Sequence, residues 1–397
     1  MSQADTNKIL ELFSRYGDEI ITKAELERRL ASGKKLRIKY GVDVTAPTLH
    51  IGHAVNLWLM RAMQDMGHKV LFLIGDFTTR IGDPTGKSKT RPIIPQEEIE
   101  KNLKEFIEQA KMVLRFDKQH LEIHHNSDWF DKMPTSEFLQ KLMMITHARL
   151  IERDMFQERI KAHKDIYMHE LIYPILQGWD SVELKSDITI IGSDQLFNEM
   201  LGRFYQEKMG QTPQMIVTTK ITPGLDGAEK QSKSIGNYVG LAHDPLEKYG
   251  RIMTLPDELI IEWFRVYTDV PLDQIEQIEK DMSLGDNPRD TKASLARHIV
   301  ARYHGEKAAT EAEAAWNKQF REGGQPDEIQ QHKLKLPINI IEAIADVFGI
   351  SKSESRRLVS QKGVKYAGKV VDKPETELKK PGILQLGKRR YAEILKK

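Results

Sequence analysis

The segment from Leu36 to Ile74 leaves this chain few ways to fold. Leu36-Arg-Ile-Lys-Tyr40 alternates apolar and polar side chains, as a half-buried strand does. Ala54 to Met66 keeps apolar residues at helical spacing, and Gly67 stands where a helix commonly ends. Val70-Leu-Phe-Leu-Ile74 is a short apolar run suited to a buried parallel strand. Strand, loop, helix and strand make a βαβ unit. Its first loop lies at a strand's carboxyl end, where open α/β sheets bind ligands.

That loop ends in His50-Ile-Gly-His53. The two histidines are three residues apart and share a face of the first helical turn. Free backbone N–H groups there favour an anion such as phosphate, and Gly52 between them has no side chain to block a flat ligand. Two readings stay open at this point: a ligand contact, or a pair of helix-start histidines satisfied locally. A zinc pair is disfavoured, because no Cys and no obvious third ligand accompany it.

The chain's 397 residues leave room for two or three domains, and 40% hydrophobic with 30% charged residues describe a soluble globular protein. No apolar run is long enough to span a bilayer, and the opening Met-Ser-Gln-Ala-Asp lacks a secretory apolar core. The absence of Cys excludes disulfides and thiol catalysis and fits a cytoplasmic protein. The net charge of +2 conceals an asymmetry: His332 to Lys397 carries 16 basic and 7 acidic residues (+9), the remainder 44 and 51 (−7). A basic tail on an acidic body suits a polyanion partner; a solvated charged surface is the bland alternative.

Along the chain, Asn7 to Ala31 reads as helix. Gly75 to Arg91 is a Gly-rich basic loop without the spacing of a P-loop. Glu97–Arg115 and Ser136–Arg159 read as helices, with Met143-Met144 assigned to core or subunit interface. A further helix carries Tyr173, Gln177 and Asp180 along one face, either a pocket wall or an exposed polar stripe. Asp187–Ile191 and Met215–Lys220 read as strands. The first leads through Gly192-Ser-Asp-Gln195 into a helix reaching Tyr205, the second into a loop containing Lys230-Gln-Ser-Lys-Ser234. Helices follow from Asp244 to about Arg321, with Asp257 and Asp290 as capping candidates, and Gly323-Gly-Gln-Pro-Asp327 is the best linker signal.

His-Ile-Gly-His and, about 180 residues later, Lys-Gln-Ser-Lys-Ser resemble the paired HIGH and KMSKS signatures of class I aminoacyl-tRNA synthetases. Tyr173-x-x-x-Gln177-x-x-Asp180, Gly192-Ser-Asp-Gln195 and Ile81-Gly-Asp-Pro84 narrow the resemblance to the bacterial tyrosyl branch. Lys352-Ser-Glu-Ser-Arg-Arg-Leu358, Gly363-Val and Gly387-Lys-Arg-Arg390 resemble S4-type RNA-binding domains. The resemblance implies an α/β fold: a Rossmann-like catalytic domain at 1–238 with a helical insertion at about 112–182, an all-α domain at 239–325, a linker at 326–335, and a small α+β S4 domain at 336–397. It also implies ATP as substrate with Mg²⁺ arriving on it and no protein-bound metal, L-tyrosine and tRNA(Tyr) as partners, and a homodimer formed through the insertion.

By the same resemblance, His50 and His53 contact ATP, Lys230 and Lys233 neutralise the leaving phosphates, and Lys87 and Arg91 assist them. Asp194 matches a ribose contact, and the backbone around Gly41 and Asp43 a wall of the nucleotide pocket. Asp180 matches the acceptor for the substrate phenol. Asp83, Tyr173 and Gln177 match the cluster around the α-ammonium, with Gln195 beside them. Lys352, Arg356, Arg357, Lys388, Arg389 and Arg390 would meet RNA phosphates. The tryptophanyl branch shares fold and signatures, and the Tyr173/Gln177/Asp180 pattern argues against it. Intact His50, His53, Lys230 and Lys233 argue against an RNA-binding protein that has lost catalysis.

Two residues depart from the family pattern. One common form has a second phenol donor, a Tyr, where this chain has Lys39. Tyr40 beside it should face the other way, so that contact stays unassigned. The usual Met of the lysine loop is Gln231, which bears on loop packing or mobility rather than on loss of activity.

Overall fold

The computed structural model describes residues 3–45, 47–84, 94–320, 330–387 and 390–396. They form two compact units, Met1–Ala309 and Thr310–Lys397.

The first unit opens with helix α1 (Gln3–Tyr16), strand β1 (Gly17–Ile21) and helix α2 (Lys23–Ala31). The chain then follows the expected βαβ course through β2 (Arg37–Val42), α3 (Ile51–Asp65) and β3 (Lys69–Ile74). Helices α4 (Asp76–Ile81) and α5 (Gln96–Ala110) lead to β4 (Leu121–His125), followed by α6 (Ser127–Phe130), α7 (Thr135–Leu142), α8 (His147–Ile151), α9 (Asp154–Lys161) and the long α10 (Met168–Leu184). Strand β5 (Ile188–Gly192), α11 (Leu196–Lys208) and β6 (Met215–Thr219) complete the sheet, and α12 (Pro245–Ile252), α13 (Ile260–Tyr267), α14 (Leu272–Ser283) and α15 (Pro288–His304) follow. Helix α16 (Glu306–Phe320) runs on from there.

The sheet order is β1-β6-β5-β2-β3-β4, parallel except for the antiparallel edge strand β1. From β2 the chain winds outward through β3 and β4, and then returns to β5 and β6 on the other side. The switch point therefore lies between β2 and β5, where such sheets open a crevice. Strands β3, β5 and β6 are buried almost throughout, matching their apolar sequences.

Three expectations need correction. Asn7–Ala31 is not one helix. A Cβ on Gly17 would meet the carbonyl oxygen of Phe13 at 2.3 Å, so this glycine lets the chain leave α1, and Ile20 and Ile21 pair with Val217 and Ile216 of β6. Strand β4 was not expected, since Leu121-Glu-Ile-His-His lies at an edge and is half polar. The cap of α15 is Asn287 rather than Asp290, and Pro256 precedes the short turn that contains Asp257. Arg15 on α1 is buried and donates to the carbonyls of Phe264, Arg265 and Val270 at 3.1, 2.7 and 2.8 Å, satisfying acceptors freed at the end of α13.

The second unit holds β7 (Gln331–Leu334), β8 (Ile338–Asn339), α17 (Ile340–Phe348), α18 (Lys352–Ser360), β9 (Val364–Tyr366), β10 (Lys369–Val371), β11 (Glu377–Leu378), β12 (Gly382–Leu386) and β13 (Arg390–Lys396). Its main sheet runs β10-β9-β12-β13-β7, and Ile340, Ile344, Val359, Val364, Leu384 and Ile394 form its core.

Candidate active site

A cleft opens at the carboxyl ends of β2 and β5. One half is lined by Lys39, Gly41, Asp43, Asp83, Tyr173, Gln177, Asp180, Gln195 and Glu199, among others. The other half is lined by His50, Gly52, Asp194, Lys230, Gln231 and Tyr267, among others. His53, Asn56 and Gly192 border both halves, so they are continuous. Each encloses about 260 Å³, the scale of one small ligand.

The first half is a network of bonded side chains. Tyr173 Oη donates to Asp43 Oδ2 at 2.8 Å, and Thr78 Oγ1 donates to Asp43 Oδ1 at 2.8 Å. Gly75 makes room for this, since a Cβ there would meet Asp43 Oδ1 at 2.3 Å. Gln177 Nε2 donates to Glu199 Oε1 at 2.8 Å, while Asn198 Nδ2 bridges Gln177 Oε1 and Gln195 Oε1 at 2.8 and 3.0 Å. Gln195 Nε2 donates to Asp83 Oδ2 at 3.0 Å. Asp180, only 3% exposed, accepts from Trp129 Nε1 at 3.1 Å and from Asn126 Nδ2 at 3.5 Å. Its burial pushes the carboxyl pKa up to about 8, against the pull of the Lys39 ammonium. Of the two readings of the Tyr173/Gln177/Asp180 face, the pocket wall is the one observed, because Tyr173 and Asp180 are buried.

The second half is more open. Backbone His50 N–H donates to His53 Nδ1 at 3.3 Å, and the two rings lie 3.7 Å apart, centre to centre. Burial of His50, with His53 and Lys230 adding to it, drives its pKa down to about 2, and burial with Lys230 holds His53 near 4. Both rings are therefore neutral near pH 7. His50 Nδ1 is buried and bonds to no described residue. A Cβ on Gly52 would press on the His50 ring at 2.9 Å. Lys230 Nζ lies 3.5 Å from Asp194 Oδ2, both side chains being exposed. Lys233 does not line this half; its Nζ donates to Thr48 Oγ1 at 3.1 Å.

Both departures acquire a place. Lys39 points to α10 and α11, while Tyr40 packs on Phe72 of the neighbouring strand with ring centres 5.8 Å apart. Gln231 is buried. Its Nε2 donates to Tyr267 Oη at 2.8 Å and its Oε1 accepts from Val239 N at 3.2 Å, and Val239 O accepts from Ile51 N at 2.9 Å. The side chain thus links the lysine loop to the segment beside His50.

Glu199, Thr78, Asn126, Trp129 and Arg153 are site residues that sequence reasoning missed. Arg153 is buried and donates to the Asp194 carbonyl at 3.3 Å. For Glu199 there was a signal: Gln195, Asn198 and Glu199 repeat at i, i+3 and i+4 among the apolar Leu196, Phe197, Met200 and Leu201.

Lys87 and Arg91 lie outside the described residues, as do Lys388 and Arg389. In the second unit Lys352, Arg356, Arg357 and Arg390 are exposed. Lys352 Nζ donates to Glu342 Oε1 at 2.8 Å, Arg357 pairs with Glu354 on the same helix at 2.6 Å, and Arg390 lies 5.6 Å from the centre of the Phe348 ring. Exposed pairs of this kind are weak and readily exchanged for another anion.

Comparison with known proteins places this geometry. Residues 31–321 match the family described as tRNA synthetases class I (W and Y), and residues 347–382 match the S4 domain. The chain is 43% identical to the tyrosine–tRNA ligase of Ralstonia nicotianae, covering 97% of this chain and 100% of that protein. It is 42% identical to the tyrosine–tRNA ligase of Moorella thermoacetica, covering 94% and 91% respectively. Among solved structures it resembles a C-terminally truncated mitochondrial tyrosyl-tRNA synthetase of Aspergillus nidulans (TM-score 0.66, 21% identity, 80% of this chain and 95% of that one). It also resembles the tyrosyl-tRNA synthetase of Archaeoglobus fulgidus complexed with L-tyrosine (TM-score 0.59, 20% identity, 78% and 99%). The cleft, the sheet that carries it and the full-length likeness agree: the chain belongs to the tyrosine–tRNA ligase family of class I aminoacyl-tRNA synthetases.

Proposed function

We propose that the two halves of the cleft hold L-tyrosine and ATP side by side, so that the protein charges tRNA(Tyr) through a tyrosyl-adenylate. The tyrosine carboxylate oxygen attacks the α-phosphorus, the bond to the bridging oxygen breaks, and diphosphate leaves with that electron pair. A terminal ribose hydroxyl of tRNA then attacks the adenylate carbonyl, and AMP leaves. The carboxylate is already ionised, so alignment and stabilisation of growing phosphate charge suffice in the first step.

In this reading Asp180 accepts the phenol O–H, while Asp83, Tyr173, Gln177 and Gln195 surround the α-ammonium. Gly41 and Asp43 border the nucleotide, Asp194 receives its ribose, and Gly52 lets it approach the helix start. His50 and His53, neutral and offering N–H groups, donate to phosphate oxygens. Lys230 exchanges its Asp194 contact, and Lys233 its Thr48 contact, for the leaving diphosphate; Lys87 and Arg91 assist. Mg²⁺ would arrive on the phosphates of ATP.

We further assign 1–238 to catalysis with its insertion at about 112–182, 239–325 to the anticodon side, 326–335 to a linker and 336–397 to RNA binding. Lys352, Arg356, Arg357, Lys388, Arg389 and Arg390 would face the tRNA backbone. A homodimer through the insertion is supported by the exposed Met143, Leu139 and Met168, at 84%, 52% and 70%, whereas Met144 packs inward. No helix among the described residues is long and apolar enough to cross a membrane, and a cytoplasmic location accords with the lack of Cys.

The observation that carries this reading is the single cleft joining the buried Asp180 pocket to the His50–Lys230 end through His53. ATP–pyrophosphate exchange tests it with tyrosine, tryptophan and phenylalanine in turn. Exchange should depend on tyrosine. Equal exchange with tryptophan would contradict the assigned substrate, and none with any amino acid would leave only RNA binding.

A further inference from the structure

Beneath the tyrosine pocket lies a charged pair that the chemistry above does not use. The side chains of Lys39 and Glu199 are 1% and 2% exposed, with Nζ and Oε2 2.8 Å apart. Lys39 Nζ also donates to Ser181 Oγ at 2.7 Å, and the Gln177 carbonyl lies 3.5 Å away. Glu199 accepts further from Gln177 Nε2 at 2.8 Å and from Gln214 Nε2 at 2.7 Å. A buried ion pair is weak evidence of stability, since apolar residues of similar shape often serve as well. Its position is more telling, because Lys39, Glu199 and Asp180 all line the same end of the cleft.

Lys39 is paired with Glu199, which leaves Asp180 without a cation of its own, and Asp43 and Asp83 line the same half. Asp180 has one good donor in Trp129 and a distant one in Asn126, at 3.1 and 3.5 Å. An ionised carboxylate can only accept, so its remaining capacity is for a donor brought by the ligand. Lys39 does not bond to Asp180; its ammonium is held by Glu199 and Ser181.

We propose that Lys39 is a positioning residue for side-chain selection. Locked to Glu199 and Ser181, its ammonium offsets the buried negative charge and leaves Asp180 an acceptor that only a side chain with an O–H completes. The proposal rests on Asp180 as the phenol acceptor. Removing the ammonium would leave two carboxylates in one buried site, a situation in which one of them takes up a proton. The ionisable groups facing Asp180 are Lys39 on β2, Glu199 on α11 and Tyr173 on its own helix, with Asp43 and Asp83 beyond Tyr173.

The test is the ratio of kcat/KM for tyrosine to that for phenylalanine, measured by pyrophosphate exchange on the full chain from pH 6 to pH 9. Titrations at the ATP end affect both amino acids and cancel in this ratio. The ratio should climb with pH as Asp180 ionises. Lys39→Met should move the climb up by about 1–3 pH units and lower the ratio at pH 7 by about tenfold or more. Glu199→Gln should move it the opposite way, and the double variant should return it towards the parent curve. A Lys39→Met curve that overlays the parent, or single variants that shift in the same direction, would overturn the proposal. If Lys39→Met does not fold, Glu199→Gln decides, since no downward shift there also overturns it. Asp180→Asn separates the two levels. If it keeps the parent ratio, the reading of Asp180 falls and Lys39 with it; if it loses the ratio while Lys39→Met shifts nothing, Lys39 alone falls.

Discussion

At one end of the cleft Lys39, Asp180 and Glu199 are buried, sit on strands or helices, and are bonded to neighbours at 2.7–3.5 Å. At the other end Lys230 and Asp194 are 63% and 38% exposed at the side chain, and the Lys233 ammonium donates to Thr48. The difference fits the roles proposed for the two ends. Choosing one amino acid needs polar groups fixed before the ligand arrives, because an unpaired buried acceptor is what penalises the wrong side chain. Stabilising charge that appears only in the transition state needs cations that can follow it.

The largest effect should come from the exposed end. Lys230→Ala should slow adenylate formation by about 10²–10³-fold. Lys233→Ala should act in the same direction, and both should leave tyrosine binding nearly intact. Single-turnover kinetics with tyrosine titrated in checks this, and a normal rate would remove the lysines from the transition state. At the buried end, Asp180→Ala should lower the tyrosine-to-phenylalanine ratio of kcat/KM by about 1.5–3 kcal/mol, roughly 10–150-fold. An unchanged ratio would break the contrast between the ends.

How far this was readable differs by residue. The β2–α3–β3 unit announced itself because apolar runs, Gly67 and the His50 loop all demand the same fold. Strand β1 did not, because Asn7–Ala31 keeps a helical apolar face and only its pairing with β6 makes Gly17–Ile21 extended. Tyr173, Gln177 and Asp180 were legible as one face, but the 130-residue span between Tyr173 and its acceptor Asp43 carries no local sign. Lys39 showed the same limit: alternation set it opposite Tyr40, yet its partner Glu199 comes from a helix 160 residues later. Gln231 looked like a change in a mobile loop, and its bond to Tyr267 shows it held within the fold.

Smaller effects sharpen the picture. A chain ending near Gln331 loses the +9 segment, in which β13 pairs with β12 and β7. Its tyrosine-dependent exchange should stay within about twofold of the full chain, while tRNA binding weakens and depends less steeply on salt. Equal loss of both activities would show that the tail supports the body. The histidines should leave a mark on stability. Their folded pKa values, about 2 for His50 and about 4 for His53, lie below the ordinary 6.5. Between those values the unfolded chain binds more protons, so stability is lost as pH falls from about 6.5 towards 4. Urea midpoints at pH 7 and pH 5 should differ less in His53→Gln than in the parent.

The separation of selection from charge stabilisation is tested most directly by the rate of single-turnover adenylate formation against tyrosine concentration, for the parent, Asp180→Ala and Lys230→Ala. Asp180→Ala should shift the curve to higher tyrosine, and Lys230→Ala should lower its plateau without moving its midpoint. Midpoint and plateau changing together, by similar factors in both variants, would contradict a cleft with two distinct ends.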